Sequence, residues 1–275
     1  MENSIEIVLV LYQCSLRESI VFTTLEEQLR KNSIDYELMI YNNDKNQKIE
    51  HEKYVVINSE KNQKLSKAYN FALERAIKNR RKWLLLLDQD TFIPDNYFVE
   101  LEKLFASNYS PDLVAIVPFL ETDGKILSPK KISPYMRFDS NVNKAGYTRE
   151  RINAFNSMSL LRVDFMKLIG GFSDQFPLDM LDHWIYHQIY QHRKWVYILP
   201  VFVKHDSSFI KFEENVSISR YKEFLIAEST FILKNLGLVK FFFYKLKLIF
   251  RSIKQAILLK NKKFALTTFK WVFKL

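Results

Sequence analysis

Between Lys82 and Asp88 the chain runs Trp83-Leu84-Leu85-Leu86-Leu87, with no polar residue among them. Successive side chains of a strand point to opposite faces, so a half-buried strand alternates polar and apolar residues. An unbroken apolar run fits a strand covered on both faces. Such strands belong to sheets held between helices, and the flanking sequence supplies both kinds of element. Ile5–Leu11, Tyr36–Tyr41, Tyr54–Ile57 and Trp195–Val203 read as further strands. Ile20–Leu29 has helical spacing, and Leu65–Ile77 places Leu65, Tyr69, Ala72, Leu73 and Ala76 on one helical face. Strands alternating with helices in this way predict an α/β fold with a parallel sheet covered on both faces.

Other stretches carry different signals. Residues 123–151 lose periodicity and contain Gly124, Pro129, Pro134 and Gly146, which predicts loops and short strands over one edge of the sheet. Order returns at Phe155–Leu161, followed by a helix start near Asp164, a break at Gly170-Gly171 and a helix from about Leu181 to His192. From Ser217 the pattern is helical to the end. The expected division is a catalytic domain over 1–212 and a helical, basic, amphipathic tail over 213–275.

Charge sharpens that division. The 275 residues carry a net +10, and after Glu228 there is no acid but eleven Lys or Arg residues. The first 228 residues are therefore close to neutral, and any partner chosen by charge belongs to the tail. A 48% apolar content excludes a disordered chain. Cys14 is the only cysteine, which excludes an internal disulfide and a cysteine-rich metal cage. Glu2 and Glu6 flank the first apolar run, where a secretory signal would need a basic segment and a longer apolar stretch. No apolar stretch approaches the roughly 18–20 residues that span a bilayer. A cytoplasmic protein is expected.

The candidate chemistry starts where the apolar run ends, at Asp88-Gln89-Asp90-Thr91. A buried strand emptying into two carboxylates puts them at the carboxyl edge of the sheet, where open α/β folds bind ligands. Acids spaced this way suit Mg²⁺ or Mn²⁺, with phosphate oxygens filling other positions. The competing reading is an acidic turn capping a helix that starts near Pro94.

Taken in order along the chain, five segments resemble a family 2 glycosyltransferase of the GT-A fold, nearest to rhamnosyltransferase-like bacterial enzymes of surface polysaccharide synthesis. They are Val8-Leu9-Val10-Leu11-Tyr12, Met39-Ile40-Tyr41-Asn42-Asn43-Asp44, NQKLSKAYN over 62–70, LLLDQDT, and Gly170-Gly171-Phe172 before an acidic helix. The resemblance spans roughly residues 5–206. It implies a Rossmann-like mixed sheet flanked by helices, a nucleoside-diphosphate sugar donor such as dTDP-rhamnose or a UDP-sugar, and a glycan or lipid-linked acceptor. By position it assigns the donor side to Tyr12, Asn42, Asn62, Lys67 and Asp88. It assigns the metal to Asp88 and Asp90, with His205 in the place of the family's late histidine. It assigns the general base to Asp182, with Asp179 as the alternative; either acid also suits a helix cap.

The sequence departs from that pattern in places. Asn42 stands where the family's second-strand Asp holds the nucleotide base, and a neutral amide pulls less strongly. Lys64 and Met158 each stand at a usual glycine, Trp184 at a usual acid and Gln188 at a usual Arg. These departures keep open a catalytically inactive, glycosyltransferase-like subunit of a membrane complex. A metal-dependent nucleotidyltransferase is the other alternative. His183, His187 and His192 lack the cysteines or HExxH arrangement of a zinc site.

In the tail, Val239, Phe243, Leu246, Phe250, Ile253 and Ile257 recur at four- and three-residue steps. Lys240, Lys247, Arg251 and Lys254 form a narrow stripe nearly opposite a wide apolar arc. Such an arc is expected of a helix lying in a membrane interface, here the inner face of the cell membrane; packing on the catalytic domain or on a second copy is the alternative. The tail is too apolar for a nucleic-acid arm, and nothing resembles a groove-reading motif.

Overall fold

A computed structural model describes residues 3–133, 140–204 and 216–274. The chain forms two compact units, within residues 1–206 and 207–275.

The first unit begins β1 (Ile5–Leu11), α1 (Ile20–Lys31), β2 (Tyr36–Asn42), β3 (Val55–Asn58), α2 (Lys64–Lys78) and β4 (Trp83–Asp88). Next come α3 (Asn96–Ala106), β5 (Leu113–Thr122), β6 (Lys125–Ser128), β7 (Lys130–Lys131), β8 (Ser140–Asn141), β9 (Gly146–Thr148) and β10 (Ile152–Asn153). It ends with β11 (Leu160–Arg162), α4 (Val163–Leu168), α5 (Leu181–Gln191) and β12 (Trp195–Lys204).

The main sheet has the order β3-β2-β1-β4-β11-β5-β12-β9, with β6 hairpinned onto β5. From β3 to β4 every pairing is parallel, with Leu9 opposite both Ile40 and Leu87. The parallel expectation fails beyond β4. There β11 enters antiparallel to both β4 and β5, and β9 runs antiparallel to β12. These are short returns from loops, which need no helical crossover. The sheet is therefore mixed, as the family resemblance implies. A separate small sheet, β10-β7-β8, occupies the region expected to hold loops and short strands.

The apolar runs are where the core is. Trp83 through Leu87 are fully buried, and so are most of Leu113–Leu120 in β5, a strand the sequence reading passes over. Val21 and Leu25 of α1 and Tyr97, Phe98 and Leu101 of α3 share one core with Ile5, Ile7, Leu9 and Leu11. Alternate β1 residues point the other way, so Glu6 is buried toward α2, where Arg75 Nε meets it at 2.9 Å. Burial pushes the Glu6 carboxyl up to about 7, against the pull of Arg75.

The second unit comprises α6 (Ile218–Phe231), a π-helical turn (Ile232–Leu236), α7 (Leu238–Leu258) and α8 (Lys263–Val272). Ser217 caps α6 by accepting from the Arg220 N–H at 3.1 Å. Tyr221, Leu225, Phe241, Tyr244, Leu248 and Phe264 form its core. The stripe predicted from the sequence changes at Arg251. That side chain turns inward and makes two 2.7 Å bonds to the Glu228 carboxylate, which also accepts from the Tyr244 hydroxyl at 2.9 Å. Among the described residues no helix is long and apolar enough to cross a membrane.

Candidate active site

The carboxyl ends of β1, β2, β3 and β4 converge on one edge of the sheet, and Gln89 ties two of them together. Its side-chain oxygen accepts from the Tyr12 N–H at 2.7 Å, and its carbonyl accepts from the Ser19 hydroxyl at 3.1 Å. Ser19 is also the N-cap of α1, accepting from the Phe22 N–H. The middle residue of Asp88-Gln89-Asp90 is therefore structural: it holds the turn after β1, and with it the half-exposed Tyr12 ring, beside the acid pair.

Asp88 lies at the end of β4 and accepts from two hydroxyls. The Tyr69 hydroxyl donates to its Oδ1 at 3.4 Å, and Ser157, itself 2.7 Å from the Thr91 hydroxyl, also bonds to it. Burial first, then the charge of Asp90, pushes the Asp88 carboxyl up to about 7. Asp182 adds to that rise, so two acids distant in sequence bear on one another across Tyr69. Asp88 is thus held where burial and two neighbouring acids, the exposed Asp90 and the distant Asp182, make its charge costly, which is a place a divalent cation relieves. The donors are hard oxygens, the set that Mg²⁺ or Mn²⁺ takes. Among the described residues no cluster of three ligating side chains occurs, so protein oxygens would fill only part of an ion's shell. His205 lies outside the described residues.

Asp182 sits in the first turn of α5. Burial alone would raise it, but His183, with its ring nitrogen at 2.9 Å and its N–H at 2.7 Å, holds the carboxyl below its ordinary range. Asn153 adds a bond to the second oxygen at 3.4 Å. The group is ionised at neutral pH. Met180, immediately before α5, has a left-handed backbone with φ 61°. Asp179 lies just outside the helix and is half-buried.

The loop that delivers Asp182 is fastened to α2. Pro177 O accepts from the N–H groups of Leu65 and Ser66 at 2.9 and 3.0 Å. Asn70 of α2 makes a reciprocal pair with Phe172, donating to its carbonyl and accepting from its N–H, both at 2.8 Å. A Cβ on Gly171 would sit 2.6 Å from the Asn70 side-chain oxygen, and the residue has φ +83°, so only glycine fits there. Two of the matched segments, 62–70 and 170–172, are therefore halves of one joint. Their roles in it are not visible in either segment alone.

The remaining donor-side residues are less available. The Asn42 amide donates to the carbonyls of Asp44 and Gln47 and to Asn58, and its oxygen accepts from the Asp44 N–H. With 1% exposure, it holds the loop after β2, and contacting a base would mean exchanging those bonds. The Asn62 oxygen accepts from the Lys64 N–H at 2.9 Å, and that of Asn43 accepts from the Gln63 N–H at 3.0 Å. Together with the Pro177 contacts, these leave the first amides of α2 satisfied from within. Lys67 is exposed, 3.5 Å from Asp174. Lys64 and Met158, the two replacements of usual glycines, have φ 62° and 61°, so the glycine conformation survives without the glycine.

No protein-family model matches the sequence, and no curated protein matches it either. Solved structures do. The crystal structure of S. aureus TarS 1–349 superposes with a TM-score of 0.52 at 14% identity, over 93% of this chain and 81% of that one. TarS 1–349 in complex with UDP gives 0.52 at 12% identity, over 94% and 73%. Its complex with UDP-GlcNAc gives 0.51 at 12% identity, over 94% and 74%. The fold is GT-A. At these identities the likeness shows the fold alone, and the chemistry rests on the residues above.

Proposed function

We propose that this chain is an inverting glycosyltransferase that moves a sugar from a nucleoside-diphosphate donor to a hydroxyl of a glycan or lipid-linked acceptor. The observation that carries this reading is Asp88 at the carboxyl end of β4 in a GT-A sheet, its charge acted on by the neighbouring Asp90 and by Asp182, an acid from another element that is held ionised. That TarS binds UDP and UDP-GlcNAc on the same fold supports a nucleotide-sugar donor. A rhamnosyltransferase-like role in surface polysaccharide synthesis remains part of the proposal.

In this mechanism Asp88 and Asp90 would hold Mg²⁺ or Mn²⁺, whose charge would offset that of the leaving diphosphate. Tyr12, on the turn held by Gln89, offers its ring to the nucleotide base. Asn62 and Lys67 flank the donor side. Asn42 serves it by shaping the loop after β2. The ionised Asp182 accepts the proton as the acceptor oxygen attacks the anomeric carbon. The bond from that carbon to the diphosphate oxygen breaks, the electron pair leaves with the nucleoside diphosphate, and the anomeric configuration inverts. Asn153 and His183 orient Asp182 without touching substrate.

The second unit would bring the enzyme to a lipid surface. Leu238, Val239, Phe242, Phe250, Ile253 and Ile257 of α7 are each more than half exposed, on the side away from Phe241, Tyr244 and Leu248. Lys240, Lys247 and Lys254 flank that face. An apolar face edged by lysines complements an anionic phospholipid surface, which favours peripheral contact with the inner face of a cell membrane.

Nucleotide sugars are first screened by thermal shift with Mn²⁺, and release of nucleoside diphosphate is then measured with the donor that stabilises. Asp90→Ala is expected to lose at least about 10³-fold in turnover with the fold intact. Asp182→Asn is expected to keep donor binding and lose about 10²–10⁴-fold in transfer. Full activity of Asp90→Ala in the presence of chelator would falsify the metal mechanism. Unchanged turnover in Asp182→Asn would favour a nucleotidyltransferase. Donor binding with no turnover in the parent chain would favour an inactive subunit.

A further inference from the structure

Away from the acid pair, the first unit contains a cavity of about 1000 Å³ between the β9–β10 segment, the start of β12 and the far end of α5. This is the upper end of the volume range of small-molecule sites, and more than one sugar ring needs. Four cations line it, Lys131, Lys144, Arg149 and Arg151, against one acid, Glu150. Glu150 meets Lys131 at 2.5 Å, so the lining keeps an excess of positive charge. Arg149 lies 4.1 Å over the Trp195 ring, and its acidic neighbour Asp112, at 3.6 Å, is shared with Lys194 at 2.5 Å.

The walls between these cations are flat. Tyr147 stands edge-on to Trp195 at 5.8 Å and to Tyr197 at 4.9 Å, and it is 43% exposed, as is Tyr190 at 42%. Aromatic faces beside cations receive the apolar faces of sugar rings and the anionic groups those rings carry. Trp195 pairs with Leu113 at the amino edge of the sheet, so the cavity lies at the far end of α5 from the proposed base. Arg151 at its margin is two residues from Asn153, which bonds Asp182. Tyr190 lies eight residues beyond Asp182 on α5, about 12 Å along the helix axis.

We infer that this cavity seats an anionic glycan, phosphate- or carboxylate-bearing, at a part of that glycan remote from its reacting hydroxyl. This deepens the sugar-transfer reading and rests on it for the identity of the glycan as acceptor. The cations select the charged backbone, and the exposed rings of Tyr147 and Tyr190 stack on its sugars.

The test is polymer binding by the full chain, followed by tryptophan fluorescence and affinity electrophoresis. The probes are a poly(glycerol phosphate), a polygalacturonate and a neutral dextran. The expected result is binding of at least one anionic polymer ten-fold or more tighter than dextran, weakening as salt rises. Lys131→Gln/Lys144→Gln changes two exposed side chains and should reduce that binding at least ten-fold while leaving the melting temperature unchanged. Preference for phosphate or carboxylate names the charged group. Equal binding of dextran, binding unaffected by the double substitution, or binding of none of the three overturns the inference. Binding is read without turnover, so its failure leaves the transfer reading standing, and an inactive enzyme leaves the cavity's test intact.

Discussion

Strand β4 and helix α7 are both strongly apolar, yet the first unit hides one and the second displays much of the other. Trp83 through Leu87 are 0% exposed, with helices on one side and α2 on the other. In α7, Phe241, Tyr244 and Leu248 are buried, while Phe242, Phe250 and Ile257 are 62%, 71% and 73% exposed. The strand's hydrophobicity is spent on folding, because every neighbour needed to cover it is in the same unit. The helix has two apolar faces, and its three-helix unit covers one. Fully burying one such Phe or Ile side chain is worth about 1.5–3 kcal/mol, so the open face stores enough free energy to hold the chain on a surface.

The widest break in that comparison comes from charging each face in turn. Phe250→Glu/Ile253→Glu acts on the open face and should weaken binding to vesicles containing phosphatidylserine or phosphatidylglycerol by several hundred-fold, about 4 kcal/mol, with the melting temperature unchanged. Leu248→Glu acts on the covered face and should instead melt the helical unit, because an unpaired charge enters a core. Co-sedimentation and thermal melts separate the two. If the double variant sediments with vesicles like the parent but changes from dimer to monomer, the open face is an interface between copies, and the membrane reading falls.

A second contrast lies inside the first unit, between β4 and the acid at its end. Burial that favours the leucines works against Asp88. Its carboxyl is held at about 7 when folded and titrates near 3.8 when unfolded. Between those values the unfolded chain has released a proton that the folded chain retains, so stability falls as pH rises through this window. Asp88→Asn removes the penalty. With metal chelated, the variant should match the parent near pH 4 and exceed it by on the order of 3 kcal/mol at pH 8, while losing transfer. Denaturant melts at several pH values check this; a stability difference that does not grow between pH 4 and 8 would show that Asp88 is not held protonated.

The same contrast explains what could be read in advance. The run 83–87 and the helix over 65–77 are legible because each is local, a burial pattern or a period, whereas Asp182 is singled out only by resemblance and the structure adds its place in the first turn of α5. The antiparallel insertion of β11 is not legible, because three residues carry no register information and their pairing is decided by β4 and β5. Strand β5 carries as plain an apolar run as β4, but no motif marks its end. The joint between Asn70 and Phe172 spans 102 residues, so neither side reveals it alone. Asn42 was placed correctly at the strand end, but the bonds that occupy its amide come from residues 44, 47 and 58, which a single position cannot report. Arg251 looked like one more surface cation until Glu228, on another helix, turned it inward.

The smallest effect concerns two of the left-handed residues, Lys64, which is partly exposed, and Met158, which is buried. A left-handed backbone costs a non-glycine residue about 1–2 kcal/mol, and glycine removes that cost but loses about 0.4–1 kcal/mol through a freer unfolded chain. At Lys64 little packing is lost, so Lys64→Gly should gain up to about 1 kcal/mol, or about 2–4 °C for a unit of this size. Lys64→Ala, which keeps a Cβ, should gain nothing. Met158 has nearly the same φ but a fully buried side chain, so Met158→Gly should lose several kcal/mol to the cavity it opens. Equal shifts for Lys64→Gly and Lys64→Ala would mean that the backbone at Lys64 carries no strain. The left-handed conformation would then be set by its contacts alone, with Asn62 on its N–H and Asn43 on its carbonyl.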